Sequence, residues 1–123
     1  MSDYCRQKVL RYPVDTNPWD IEENNPDLFS CVKTPAFQVA PTEKSFIDYV
    51  LEDEYGAYCG DYGKVRELSE NEKAKYKAIF EQVIPDVDMN KVHLVEYCWY
   101  NCSEAPDYYE VNDATTDSFY KEV

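Results

Sequence analysis

Glycine is scarce in this sequence: Gly56, Gly60 and Gly63 are the only three, and all fall in one tyrosine-rich stretch. Neither Gly-x-Gly-x-x-Gly nor a glycine loop running into Lys-Ser or Lys-Thr occurs, which excludes the common phosphate-cradling loops. These glycines instead suit tight turns or a hairpin. Histidine occurs once, as His93. No stretch approaches the roughly 20 apolar residues of a membrane span, and the first residues lack a basic-then-apolar segment. A cytoplasmic location is expected. Positive charge is short as well, with 12 basic side chains against 25 acidic ones and a formal net charge of −13. Such a chain repels free nucleic acid and anionic membranes, so neither is an expected partner.

What is present supports a fold. Hydrophobic residues make up 44% and aromatic residues 15% of 123 residues, enough for one ordinary core in a single domain spanning 1–123. The five cysteines, Cys5, Cys31, Cys59, Cys98 and Cys102, are odd in number. Without an export signal they are expected to be reduced thiols. His93, Cys98 and Cys102 would need a distant cysteine to complete a zinc site, since no second closely spaced pair occurs. No cofactor is expected, and a zinc-stabilised module is kept as an alternative.

Residues 5–12 mix basic and apolar side chains and suit a strand. Asp15–Asp27 carries Pro18, Pro26, Asn24 and Asn25 and reads as a loop, with Trp19 as its anchor. From Leu28 to Val39 the apolar pattern is interrupted by Pro35, which restricts a strand to an edge. The segment after Pro41 reads either as a short helix capped by Thr42 or as a strand through Ser45–Leu51. Ser69-Glu-Asn-Glu72 is a capping box, and Tyr76, Ile79, Phe80 and Val83 follow at helical spacing, which predicts a helix over Glu70–Ile84. Residues 92–100 are rich in β-branched and aromatic side chains and read as the central strand. Residues 101–123 read as a partly ordered acidic tail. The expected architecture is α+β, a small antiparallel sheet packed against one main helix, with acidic loops.

Little in the sequence points to catalysis. Carboxylate pairs are too abundant to single one out, because acid–base chemistry needs two in contrasting environments. His93 and Cys98 are five apart on one strand and so point to opposite faces. The twelve-residue calcium loop is absent. An enzyme is therefore not expected.

Charge placement is the stronger signal. Residues 1–14 are net positive and 55–95 nearly neutral, whereas 15–54 and 96–123 are strongly negative. Twelve tyrosines occur, many beside acids, as in Glu54-Tyr55 and Asp107-Tyr108-Tyr109-Glu110. A ring beside a carboxylate supplies rigid contact area and an arginine partner together. Small size, carboxylates spread through loops and tyrosines beside acids together resemble the nucleic-acid-mimicking inhibitors of phages and mobile elements, such as antirestriction and anti-CRISPR proteins. The resemblance is of character over the whole chain and carries no motif. It implies a protein-binding inhibitor whose carboxylates occupy the basic nucleic-acid groove of a nuclease or defence protein in place of phosphates. The candidate contacts are Glu22, Glu23, Glu52, Asp53, Glu54, Tyr55, Asp107, Tyr108, Tyr109 and Glu110. The other reading is an interaction subunit that uses a tyrosine-rich surface.

Overall fold

A computed structural model describes residues 3–30, 33–39, 45–55, 64–101 and 118–121. Their strands are β1 (Asp3–Pro13), β2 (Ala36–Gln38), β3 (Phe46–Tyr55), β4 (Lys64–Glu67) and β5 (His93–Asn101), and their main helices are α1 (Pro18–Asn24) and α2 (Glu70–Glu81). The strands form one antiparallel sheet in the order β2-β3-β1-β5-β4. The class is α+β, with α2 as the main helix. No helix among the described residues is long and apolar enough to cross a membrane.

The basic strand at the N-terminus, not the aromatic one at 92–100, is the central strand. β1 pairs with β3 on one side and β5 on the other, and its apolar residues Val9 and Leu10 are both buried, one on each face. β5 lies one place out and shields β1 from the short β4. The segment after Pro41 resolves as strand from Phe46, because Ile47 joins the core of one face while Phe46, Asp48 and Val50 are buried on the other. This is period-two burial, which a helix cannot produce. Thr42 lies outside the described residues. β2 is an edge strand, held to one short run just after Pro35.

Asp15–Asp27 is not a loop. Asn17 caps α1 by accepting the Trp19 N–H at 3.1 Å, and Pro18 sits at the helix start, where its missing N–H costs nothing. Asn25 closes the helix by donating to the Ile21 carbonyl, and Pro26 opens a 3-10 turn, Pro26–Leu28. Trp19 does not anchor the segment: it is 48% exposed, whereas Pro18 is buried and Ile21 packs on the core.

The first face of the sheet packs on α2. Phe80, fully buried, is the hub of an aromatic group, with ring centroids 5.4 Å from Phe37 and 6.3 Å from both Tyr12 and Tyr49. Leu10, Ile47, Val92 and Leu94 complete the layer. α2 starts where the capping box places it and ends at Glu81, with a turn carrying Val83 into the core. Glu72 accepts the Ser69 N–H at 2.9 Å and both arms of the Arg66 guanidinium at 2.9 and 3.0 Å, fastening the helix start to β4. These bonds draw its carboxyl from an ordinary value near 4.5 down to about 2.

The second face is less ordinary. Val9, Val50 and Val95 are covered by Phe119, which with Tyr120 lies in a helical turn at 118–121, so the acidic tail docks at this point. The Tyr120 hydroxyl donates to the Ser45 carbonyl. Across this face the register aligns Gln38, Asp48, Arg11, His93 and Glu67, one residue per strand. Arg11 and Asp48 are both fully buried and form a two-pronged ion pair, Nε–Oδ1 at 2.7 Å and Nη2–Oδ2 at 2.8 Å. The guanidinium carbon also lies 3.9 Å from the centre of the Phe46 ring. Burial pushes the Asp48 carboxyl up and Arg11 draws it down, burial being the larger effect.

Two measurements check this account. Arg11→Met strands a buried carboxylate and is expected to cost about 3–5 kcal/mol in urea unfolding, whereas Arg11→Met combined with Asp48→Leu recovers most of the loss. If the double variant is as unstable as the single one, the pair is not the source of the cost. Because the Glu72 carboxyl is lowered on folding, its stabilising effect is complete above about pH 4.5 and fades as pH falls towards about 2. Glu72→Gln should therefore cost roughly 1 kcal/mol or less at pH 7, given the partial exposure of the pair, and much less near pH 2.

Candidate functional site

Arg6, Lys8, Arg11, Arg66 and Lys73 are committed to ion pairs within the sheet and at the start of α2. Arg6 on β1 lies 3.4 Å from both Glu52 and Glu54 of β3, Lys8 lies 3.5 Å from Glu96 of β5, Arg66 holds Glu72, and Lys73 reaches Glu70 at 3.1 Å. The cross-strand pairs follow from register, since Arg6 stands opposite Glu54 and Lys8 stands opposite both Glu52 and Glu96.

This divides the candidate residues read from the sequence. Glu52, Asp53 and Glu54 are exposed at the far end of β3. Glu52 and Glu54 nevertheless share one arginine, and only Asp53 of the three, turned to the other face by the strand alternation, has no cation within 4 Å among the described residues. Glu22 and Glu23 lie on α1, beyond the opposite end of β1, and have no such partner either. The structure does not bring these two groups together. The Tyr55 side chain and residues Asp107, Tyr108, Tyr109 and Glu110 lie outside what is described.

Around Glu22 and Glu23 the structure gathers acids that the sequence reading passed over. Asp15 follows β1, Asp20 lies on α1, Asp27 is in the 3-10 turn, and Asp86 and Asp88 follow α2; all are exposed. None has a cation within 4 Å among the described residues. The end of β1 and the turn after α2 enclose an open groove of about 680 Å³, with Val14, Ile21, Val83 and Ile84 in its lining and Asp15, Asp86 and Asp88 beside them. Lys91 is the cation that borders it. The Asp88 N–H donates to the Tyr12 hydroxyl and its side chain accepts the Asn90 N–H, so this wall is tied to the sheet. The Asn17–Pro18 cap signal could have revealed the pole, since it turns a presumed loop into a helix carrying Asp20, Glu22 and Glu23.

The tyrosines whose side chains are described are spent on the fold. Tyr12, Tyr49 and Tyr76 pack on the first core, and Tyr120 on the second. His93 is also structural in its setting: it is buried, its ring stands edge-on to Phe119 at 5.7 Å, and Nδ1 lies 3.2 Å from the Lys91 carbonyl. A carbonyl can only accept, so Nδ1 carries the hydrogen of that bond, and Nε2 is buried without a hydrogen-bond partner among the described residues. No group of three His, Cys, Asp or Glu among the described residues is arranged to hold a metal ion.

Acids that serve a fold lose stability when neutralised; acids held apart from any cation gain it. Glu22→Gln, Glu23→Gln and Asp86→Asn made together are expected to leave unfolding free energy unchanged or raised by up to roughly 1 kcal/mol, with the gain shrinking as salt rises. A clear loss in urea titrations would assign these carboxylates to the fold instead. Comparison of the chain with protein-family models, curated proteins and solved structures finds no match, so the pole and its groove are read from their own geometry.

Proposed function

We propose that this chain is a protein-binding inhibitor that presents carboxylates to the basic nucleic-acid groove of a partner such as a nuclease or defence protein. It acts in the cytoplasm, without catalysis, cofactor or direct contact with nucleic acid. The observation that carries the reading is the placement of unpaired carboxylates: Asp15, Asp20, Glu23 and Asp86 stand exposed and Glu22 half-buried, with no cation within 4 Å among the described residues, while Arg6, Lys8, Arg66 and Lys73 are held in pairs on the sheet and at the start of α2. An unpaired surface carboxylate keeps its full attraction for a partner's arginine or lysine, whereas Glu52 and Glu54 must first give up Arg6. Glu22 and Glu23 are thus the leading contacts among those read from the sequence. Asp53, at the opposite end of the sheet, lies apart from this surface, and the Asp107–Glu110 segment with its tyrosines is kept as a proposed contact.

The test is capture of binding proteins on the immobilised chain at low and high salt, with identification by mass spectrometry. A nucleic-acid-binding protein that elutes with salt, and that its own nucleic acid displaces, is the expected catch. Glu22→Lys with Glu23→Lys should weaken that capture at least roughly tenfold, and more than Glu52→Lys with Glu54→Lys. Salt-resistant capture of a partner lacking a basic groove would sink the proposal in favour of an ordinary interaction subunit.

A further inference from the structure

We infer that the groove between the end of β1 and the turn after α2 receives one apolar side chain from a cationic segment of the partner, with Lys or Arg flanking that side chain. The inference rests on the proposed carboxylate reading and adds an anchor to it. A purely electrostatic surface needs no cavity, yet here the exposed acids stand beside one. Val14 and Ile21 come from the β1–α1 side and Val83 and Ile84 from the turn after α2, so its apolar lining is drawn from both walls. Asp15 stands on the first wall and Asp86 on the second, both exposed. At about 680 Å³ the groove falls within the size range of ordinary ligand sites and admits a large aliphatic or aromatic side chain. A carboxylate on each wall then meets a cation on each side of that anchor. Three aspartates against Lys91 leave the rim negative, which disfavours an acidic or neutral segment.

A second groove, along the other flank of α2, makes the contrast. It is lined by Tyr49, Tyr76 and Ile79, but Lys8, Arg66 and Lys75 border it together with Glu52 and Glu72. Its charges offset one another, and Arg66 and Glu72 are bound to each other. Nothing there selects a cation.

The experiment is a nuclear magnetic resonance titration of the isotope-labelled full chain with two capped peptides. One has a leucine between two pairs of lysines, and the other has serine in place of the leucine. The protein is unaltered in this comparison, so no variant has to fold. The leucine peptide is expected to shift the amide resonances of Val14, Ile21 and Ile84 and to bind roughly tenfold tighter than the serine peptide. Asp15→Asn with Asp86→Asn should weaken both peptides several-fold. Equal affinity for the two peptides overturns the anchor but leaves the carboxylate reading intact, provided the aspartate variant still weakens both. Shifts confined to the Tyr49–Tyr76 groove, or no binding of either peptide, overturn the inference. The carboxylate reading falls with it only if the salt-dependent capture also fails.

Discussion

The Arg11–Asp48 pair is the constraint around which this sheet is organised. A charge pair buried on both sides is no large net source of stability, because the loss of water roughly offsets the attraction. Its effect is on alternatives. A one-residue slip of β1 against β3 would carry Arg11 to the face where Phe80 and Leu10 lie and leave Asp48 buried and alone, at a cost no packing gain could offset. The pair therefore selects the register of β1 against β3 from Val9 to Pro13. The shift between Lys8 and Val9 fits the same account, since Leu51 is the extra residue that lets the charged end of β3 realign with Lys8 and Arg6 beyond the fixed pair.

The same pair explains what the sequence disclosed and what it hid. α2 was legible because its start is written locally: Ser69 and Glu72 specify a cap whatever lies around them, and Tyr76, Ile79 and Phe80 give the helix one apolar side. The class of the fold was legible for similar reasons. The place of β1 was not. Three cations in a short run look like an exposed edge, and only the position of Asp48, 37 residues away, turns Arg11 into an interior residue. The apolar content of 92–100 then made β5 look central when its neighbour was. α1 was missed for the opposite reason: Asn and Pro serve turns and helix starts alike, and which they serve depends on whether Ile21 has a core to meet.

Candidate contacts suffered from the same blindness to register. Glu52, Asp53 and Glu54 form the densest local run of acids among the described residues, which by density alone marks them as contacts. Density along a sequence does not measure exposed charge, because a neighbouring strand can supply the counter-ion, as Arg6 does. Glu22 and Glu23 carry less charge per residue of sequence but keep more of it, since they lie on a helix outside the sheet and have no cation within 4 Å among the described residues. The distinction lies in topology, which composition cannot express.

This separation has a physical consequence for association. Net charge attracts a basic partner from any direction, but screening limits that attraction to about 8 Å in physiological salt, less than the length of β1. Within that range only the nearest face is felt. A described surface on which Arg6, Lys8 and Arg66 offset their neighbouring acids, while the carboxylates at the α1 end have no such partner, attracts a basic partner most strongly at that end, so approach is oriented as well as accelerated. The stability that like-charge repulsion removes at that pole is borne by the two cores, each anchored on a fully buried phenylalanine, Phe80 on one face and Phe119 on the other. Two packed faces in so short a chain give the fold a margin that a single face would not, and that margin is what allows carboxylates to stand together unpaired.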